Sequence, residues 1–179
     1  VGTELLLGNI ANTDAQMISQ GLSQLGINVY YHTVVGDNPQ RVRQAVDIAR
    51  GRADILITTG GLGPTCDDLT KVAVAQAFGK ELVYHEPSAQ RIRERFAQRG
   101  TPVTENNFQQ AMVPEGCTVL DNDWGTAPGV AFQADGTHVL MLPGPPRECE
   151  MMFRHRALPY LQKLSDGVIA SRTVKTFGI

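Results

Sequence analysis

The sequence predicts an α/β fold of three layers: a mostly parallel β-sheet with helices on both faces, plus a β-hairpin addition. Three observations carry this expectation. Strand-like and helix-like runs alternate as β-α-β-α-β-α through the first half of the chain. The run Asp54-Ile55-Leu56-Ile57 has no polar face, as expected of a strand buried on both sides. Glycine-rich turns follow the strand-like runs ending near Val1, Ile57 and Leu142, so the loops collect where strands of an open parallel sheet end and ligands bind.

Gly2-Thr3-Glu4-Leu5-Leu6-Leu7-Gly8 is the first loop, and it is expected to close an N-terminal strand ending near Val1 whose beginning is missing. Thr13-Asp14-Ala15-Gln16 reads as a capping box, with Met17, Ile18, Leu22 and Leu25 on one helical face before Gly26. Ile27 to Val35 is the next strand. In Gly36-Asp37-Asn38-Pro39, Asn38 caps a helix and Pro39 takes its first position, with Val42, Ala45, Val46 and Ala49 facing inward. The Ile55 strand then leads through the turn into a helix carrying Leu69, Val72, Ala73 and Ala77.

Farther on, 81–84 reads as a short strand, 87–99 as a helix with three of its arginines outward on a solvated face, and 104–111 as a short polar helix. Asn106 and Asn107 lie in that helix. Their low helix propensity suits either a ligand role or a cap. Strands follow at 117–120, 130–133 and 138–142, the last two joined at Asp135-Gly136, a strong hairpin signal. The last helix carries Met151, Met152 and Phe153 inward and is kinked or restarted by Pro159. The domain is expected to span 1–164. Ala170 to Ile179 reads as a further strand within 165–179, the start of a linker or second module.

The 179 residues, 42% hydrophobic, suit one domain with a full core. A net charge of −2 without a long basic run argues against a nucleic-acid or membrane surface. Cys66, Cys117 and Cys149 are scattered and odd in number, which fits a reducing compartment and hence the cytoplasm. Cys66 reads as a passive small residue rather than a reactive thiol, because no histidine lies near it in sequence.

Chemistry concentrates in Thr58-Thr59-Gly60-Gly61-Leu62-Gly63-Pro64-Thr65-Cys66-Asp67-Asp68-Leu69-Thr70. Strand, glycine turn and helix in this order make an anion site, since the helix start presents free N–H groups and the positive end of its dipole. The turn lacks the Gly-Lys-Ser/Thr ending of a P-loop. Asp67 and Asp68 follow instead, and two carboxylates beside a phosphate call for a divalent cation between them. Thr65 and Asp68 also fit a capping box, which would make Asp68 structural. None of His32, His85, His138 and His155 falls in the glycine loops, which disfavours a histidine-based triad. The inventory suits a small phosphorylated, nucleotide-like ligand.

Together, 1–8, Val35-Gly36-Asp37-Asn38, the turn at 60–70, Asn106-Asn107, Gly125-Thr126-Ala127-Pro128-Gly129 and Leu142-Pro143-Gly144-Pro145-Pro146-Arg147-Glu148 resemble the N-terminal domain of the CinA (competence/damage-inducible) family. That domain is similar to the molybdopterin-binding domains of molybdenum-cofactor biosynthesis, of the MogA/MoaB type. The resemblance implies metal-dependent hydrolysis of ADP-ribose to AMP and ribose 5-phosphate, with Mg or Co, with or without a monovalent cation, in a homo-oligomer (dimer or trimer). Full-length relatives often carry a nicotinamide-mononucleotide deamidase domain; that activity is not carried over to this chain. In this reading Asp67, Asp68 and Asp37 are catalytic candidates, and Asp67 and Glu4 would hold the metal. Thr3, Glu4, Gly60, Gly61, Leu62, Gly63, Thr65, Asn106, Asn107, Gly125, Thr126, Ala127, Pro143, Gly144, Pro145 and Glu148 would bind phosphate or nucleotide. The alternative is a pterin- or nucleotide-binding module without turnover.

Overall fold

Along β1 (Ile55–Thr59), β5 (Gly129–Ala134) and β6 (Thr137–Leu142), successive side chains feed two different cores, as the pleat of a strand requires. In the computed structural model, which describes residues 1–65 and 67–164, Leu56, Val130, Phe132, Val139 and Met141 face one side. They pack there with Val42 and Val46 of α3 (Pro39–Arg50) and Ala73, Val74 and Ala77 of α4 (Thr70–Ala77). Ile55, Ile57, Ala131, Leu140 and Leu142 face the other side. Ile18 and Leu22 of α2 (Thr13–Gln24) cover them, together with Cys149, Met152, Phe153 and Leu161 from the helical stretch that closes the domain. The three layers are therefore helix, sheet, helix.

The strand order among the described residues is β1-β6-β5-β4, with β4 at Thr118–Leu120. Only β1 with β6 is parallel; β6–β5 and β5–β4 are antiparallel. The sheet is thus mixed rather than mostly parallel. The difference lies at Ile27–Val35, expected as a strand, which joins no ladder. Paired strands sit about 4.8 Å apart. Here a cavity of about 420 Å³, lined by Val29, Tyr31, Val35, Ile55 and Ile57 among others, separates the segment from β1. The Arg52 guanidinium lies 3.7 Å over the Tyr31 ring.

The hairpin forms as expected. Asp135 (φ 49°) and Gly136 (φ 80°) make a two-residue turn with both central residues left-handed, between paired Ala134 and Thr137. A second small sheet pairs β2 (Leu82–Tyr84) with β3 (Met112–Pro114) in antiparallel fashion. Between them run α5 (Glu86–Gln98) and a 3₁₀ helix (Glu105–Ala111), sharing a core of Ala89, Ile92 and Ala111 with Phe96 and Phe108.

Several helix starts depart from expectation. The cap of α2 is Asn12, whose Oδ1 accepts from the Ala15 N–H at 3.1 Å, so the box expected at Thr13–Gln16 does not start this helix. Asn38 and Pro39 open α3 as expected. α5 is capped by His85, whose Nδ1 accepts from the Ser88 N–H. At the end of the domain, α6 (Pro146–Met152) passes through a π turn (Phe153–Ala157) into α7 (Leu158–Gln162). The Leu158 N–H reaches back to the Phe153 carbonyl, and Pro159 follows where the wider turn resets the register. The helix therefore continues through the proline. The expectations for Cys66 and for the strand from Ala170 to Ile179 lie outside the described residues.

Leu140 is fully buried in the second core. Leu140→Ala is expected to lower the unfolding free energy by about 2–5 kcal/mol in a urea titration. Val83→Ala, at a half-exposed position of the small sheet, should cost about 1 kcal/mol or less.

Candidate functional site

The ladder directions place three loops at one edge. β1 and β6 run parallel and end together, and the connection 121–128 between β4 and β5 lies at that same end. Gly60 N–H donates to the Leu142 carbonyl at 3.1 Å. A Cβ built on Gly144 would come within 3.0 Å of the Gly60 Cα, so these two loops touch backbone to backbone. The chain start joins them: the Val1 nitrogen donates to the Thr59 carbonyl at 2.7 Å, and Gly2 N–H to the Val35 carbonyl at 2.9 Å.

Gly60 and Gly61 take φ of 85° and 69°, a region that favours glycine. Gly61 lies so close on the Thr70 side chain that a Cβ would overlap it. Leu62 is buried in the first core, so the turn presents backbone at the surface there. Asp68 Oδ2 accepts from both the Thr65 N–H, at 2.9 Å, and the Thr65 hydroxyl, at 2.5 Å. α4 starts only at Thr70, with Leu69 as its N-cap. Thr65 and Asp68 therefore lock a separate turn ahead of the helix rather than boxing its first turn. Asp67 is exposed beside this locked turn, and its carbonyl accepts from the Leu69 N–H at 2.9 Å.

Thr3 and Asp37 hold each other. Asp37 Oδ2 accepts from the Thr3 N–H at 2.9 Å and from its hydroxyl at 2.8 Å, and the Asp37 N–H donates to Thr3 Oγ1 at 3.1 Å. Glu4, exposed in α1 (Thr3–Leu6), folds its carboxylate back over Gly2. Among the described residues, no three His, Cys, Asp or Glu side chains gather closely enough to hold a metal by themselves. The donor set still fits a hard divalent cation of the Mg type, which is bound through one or two carboxylates together with substrate phosphates. Asp67 and Glu4, both exposed, would hold it; Asp37 and Asp68 accept hydrogen bonds from Thr3 and Thr65.

The third loop is organised by Asn122, a residue that sequence reasoning missed. Its Oδ1 accepts from Trp124 N–H at 2.9 Å and Gly125 N–H at 2.7 Å, while its Nδ2 donates to the Ala127 carbonyl at 2.9 Å and Glu148 Oε2 at 3.0 Å. Gly125 is pressed against the Glu148 carboxylate and leaves no room for a Cβ. Glu148 thus ties the Pro143-Gly144-Pro145 loop to the Gly125-Thr126-Ala127 loop. Two of the arginines expected on a solvated face, Arg91 and Arg95, clamp this region together with Arg156 of the π turn. Arg91 pairs with Asp123, Arg156 with Asp123 at 2.6 Å, and Arg95 donates to the Asp123 carbonyl at 2.9 Å. A polar cleft of about 190 Å³ lies between α5 and the loop, lined by Arg91, Arg95, Gly125 and Thr126 among others.

Asn107 Oδ1 accepts from the Thr104 N–H and hydroxyl, both at 2.9 Å, and so holds the start of the 3₁₀ helix; Asn106 is exposed beside it. This helix connects to the glycine turn through Lys71, a second residue that the sequence did not single out. The buried Lys71 ammonium donates to the Gln109 and Gln110 carbonyls, each at 3.1 Å. Burial pushes its pKa from 10.5 down to about 8, partly countered by Asp68. A lysine with a lowered folded pKa binds fewer protons in the native state between these two values. Stability should therefore rise as pH climbs from about 8 toward 10.5. Unfolding titrations at pH 8 and pH 10 are expected to show this gain in the wild type and a smaller one in Lys71→Met.

Comparison with known proteins agrees with the fold. The family model described as "Probable molybdopterin binding domain" matches residues 1–163. A CinA-like protein of Dictyoglomus turgidum is 52% identical over 179 residues, covering 100% of this chain and 44% of the relative. A putative competence-damage inducible protein of Bacillus thuringiensis is 52% identical over 180 residues, with the same shares of 100% and 44%. The chain spans less than half the length of these relatives. Among solved structures, CinA of unknown function from Thermoplasma acidophilum superposes with a TM-score of 0.81 at 31% identity, covering 90% of this chain and 93% of that one. The molybdopterin biosynthesis enzyme MoaB of Thermus thermophilus superposes at 0.58 with 20% identity, covering 92% and 91%, and shares the fold. The chain belongs to the probable molybdopterin-binding domain family, and within it to the CinA-like, competence-damage inducible proteins.

Proposed function

We propose that this domain binds a small phosphorylated ligand of pterin or nucleotide type across the edge formed by the Gly60, Gly125 and Gly144 loops. The observation that carries the reading is their convergence: Gly60 and Gly144 touch, and Glu148 links the Gly144 loop to Gly125. Backbone at such an edge offers N–H groups to phosphate oxygens, and the ends of parallel strands are where open α/β sheets take ligands. Membership in a family described as probable molybdopterin binding supports the ligand class.

A second reading, hydrolysis of the ADP-ribose diphosphate bond to AMP and ribose 5-phosphate, draws on one further observation. Asp67 is an exposed carboxylate immediately beside the turn that Asp68 closes on Thr65. A divalent cation, when bound, would lower the charge on the diphosphate and the pKa of an attacking water. The turn amides would hold the phosphate oxygens, and Asp67 would orient the water and take its proton.

The two readings separate in one experiment. Calorimetry with ADP-ribose in the presence of Mg²⁺ or Co²⁺ reports binding, and chromatography of the same mixture reports AMP. Binding without AMP supports the module without turnover and ends the hydrolytic reading. Absence of binding to ADP-ribose and to pterin or nucleotide phosphates ends both.

If AMP forms, Asp67→Asn is expected to keep the melting temperature and to lower turnover by at least 100-fold, because an interaction strengthened in the transition state costs rate rather than stability. Asp68→Asn should lower stability by about 0.5–2 kcal/mol by weakening the Thr65 turn, with a smaller loss of turnover. Wild-type turnover in Asp67→Asn at saturating metal would remove that carboxylate from the mechanism.

A further inference from the structure

Buried polar groups with incomplete partners lie at the start of α4 and at the end of the 3₁₀ helix that Lys71 joins to it. The Thr70 hydroxyl is fully buried against Gly61 and makes no hydrogen bond. The adjacent residue Lys71 is 7% exposed; its ammonium touches two backbone carbonyls and forms no ion pair within 4.0 Å among the described residues. Gln110, whose carbonyl Lys71 holds, buries its Oε1 without a partner. A buried donor left unmade costs about 1–3 kcal/mol, and a buried charge costs more. Capping the last carbonyls of a 3₁₀ helix can be done by an exposed lysine at far less cost, so a cap alone does not account for this burial.

We propose that Thr70 and Lys71 form the floor of the phosphate site: a ligand phosphoryl group seated in the turn accepts from the Thr70 hydroxyl and supplies the negative charge that Lys71 lacks. The inference rests on reading the turn as a phosphate site and adds two residues to it. Thr70 and Lys71 are the first two residues of α4, whose free N–H groups face the same turn. The groups acting on Lys71 by charge are Asp68, from the locked turn, and Cys117, from the segment before β4. Asp68 already accepts two hydrogen bonds from Thr65. Gly61, which carries no side chain, is what separates the Thr70 hydroxyl from the turn surface. Lys71 also fixes the Asn106-Asn107 helix relative to the turn, so one anion at this point would brace both.

The test is calorimetric titration of the full chain with inorganic pyrophosphate. Thr70→Val removes only the unpartnered hydroxyl and is expected to fold at least as stably as the wild type. Its affinity for pyrophosphate should fall at least tenfold, and that of Lys71→Met likewise. Lys71→Met leaves two carbonyls without a donor and can lose stability, so Thr70→Val carries the decision if the methionine variant does not fold. Wild-type binding matched within twofold by folded Thr70→Val overturns this proposal and leaves the phosphate-site reading standing. Failure of the wild type to bind pyrophosphate overturns both.

Discussion

The parallel ladder between β1 and β6 fixes where chemistry can take place on this molecule. Because Ile55–Thr59 runs in register with His138–Leu142, the chain leaves both strands at the same height. The Gly60 N–H continues the pairing by one bond to Leu142, and Gly60 and Gly144 then meet with no side chain between them. Antiparallel pairing of β5 with β6 brings the start of β5, and with it the Gly125 loop, to the same edge. Three segments distant in sequence become neighbours through backbone hydrogen bonds alone.

What holds these loops in shape is mostly their own polar side chains. Asp68 closes the turn on Thr65, Asp37 closes the first loop on Thr3, and Asn122 with Glu148 closes the third. Carboxylates that could serve a ligand are thus partly committed to the scaffold. The glycines answer the same demand, since Gly61 and Gly125 leave room for Thr70 and Glu148 rather than only for a ligand. These bonds hold the loops in shape before anything binds. Among the buried side-chain atoms left without a partner, the Thr70 hydroxyl lies directly against Gly61 of the turn.

Much of the fold was legible because its signals are local. The Asp135-Gly136 turn, the Asn38-Pro39 helix start and the two-faced apolar strands follow from one residue and its near neighbours. The grouping of glycine loops at one edge was legible from their positions after strands. The sheet's mixed character was not, because Ile27–Val35 has strand composition and its lack of a ladder depends on what lies beside β1. Asn12 displaced Thr13 as a cap because both residues suit the role and only the exit angle of the chain decides. Lys71 and Asn122 gave no signal: a lysine one turn into a helix reads as solvated, and Asn122 acts through partners up to 26 residues away. The arginines of α5 likewise reveal their clamping role only when the loop at Asp123 is placed against them.

The central claim is that one edge, made from three loops, receives a phosphorylated ligand. Two-dimensional amide NMR of the isotopically labelled chain, titrated with ADP-ribose in the presence of Mg²⁺, tests it most directly. The account predicts saturable shifts at Gly60, Gly61, Gly63, Gly125, Thr126 and Gly144, with Gly100 and Gly116, whose positions lie outside these loops, unchanged. Saturable shifts confined to residues away from that edge, or no saturable shift at any of the three loops, would contradict it.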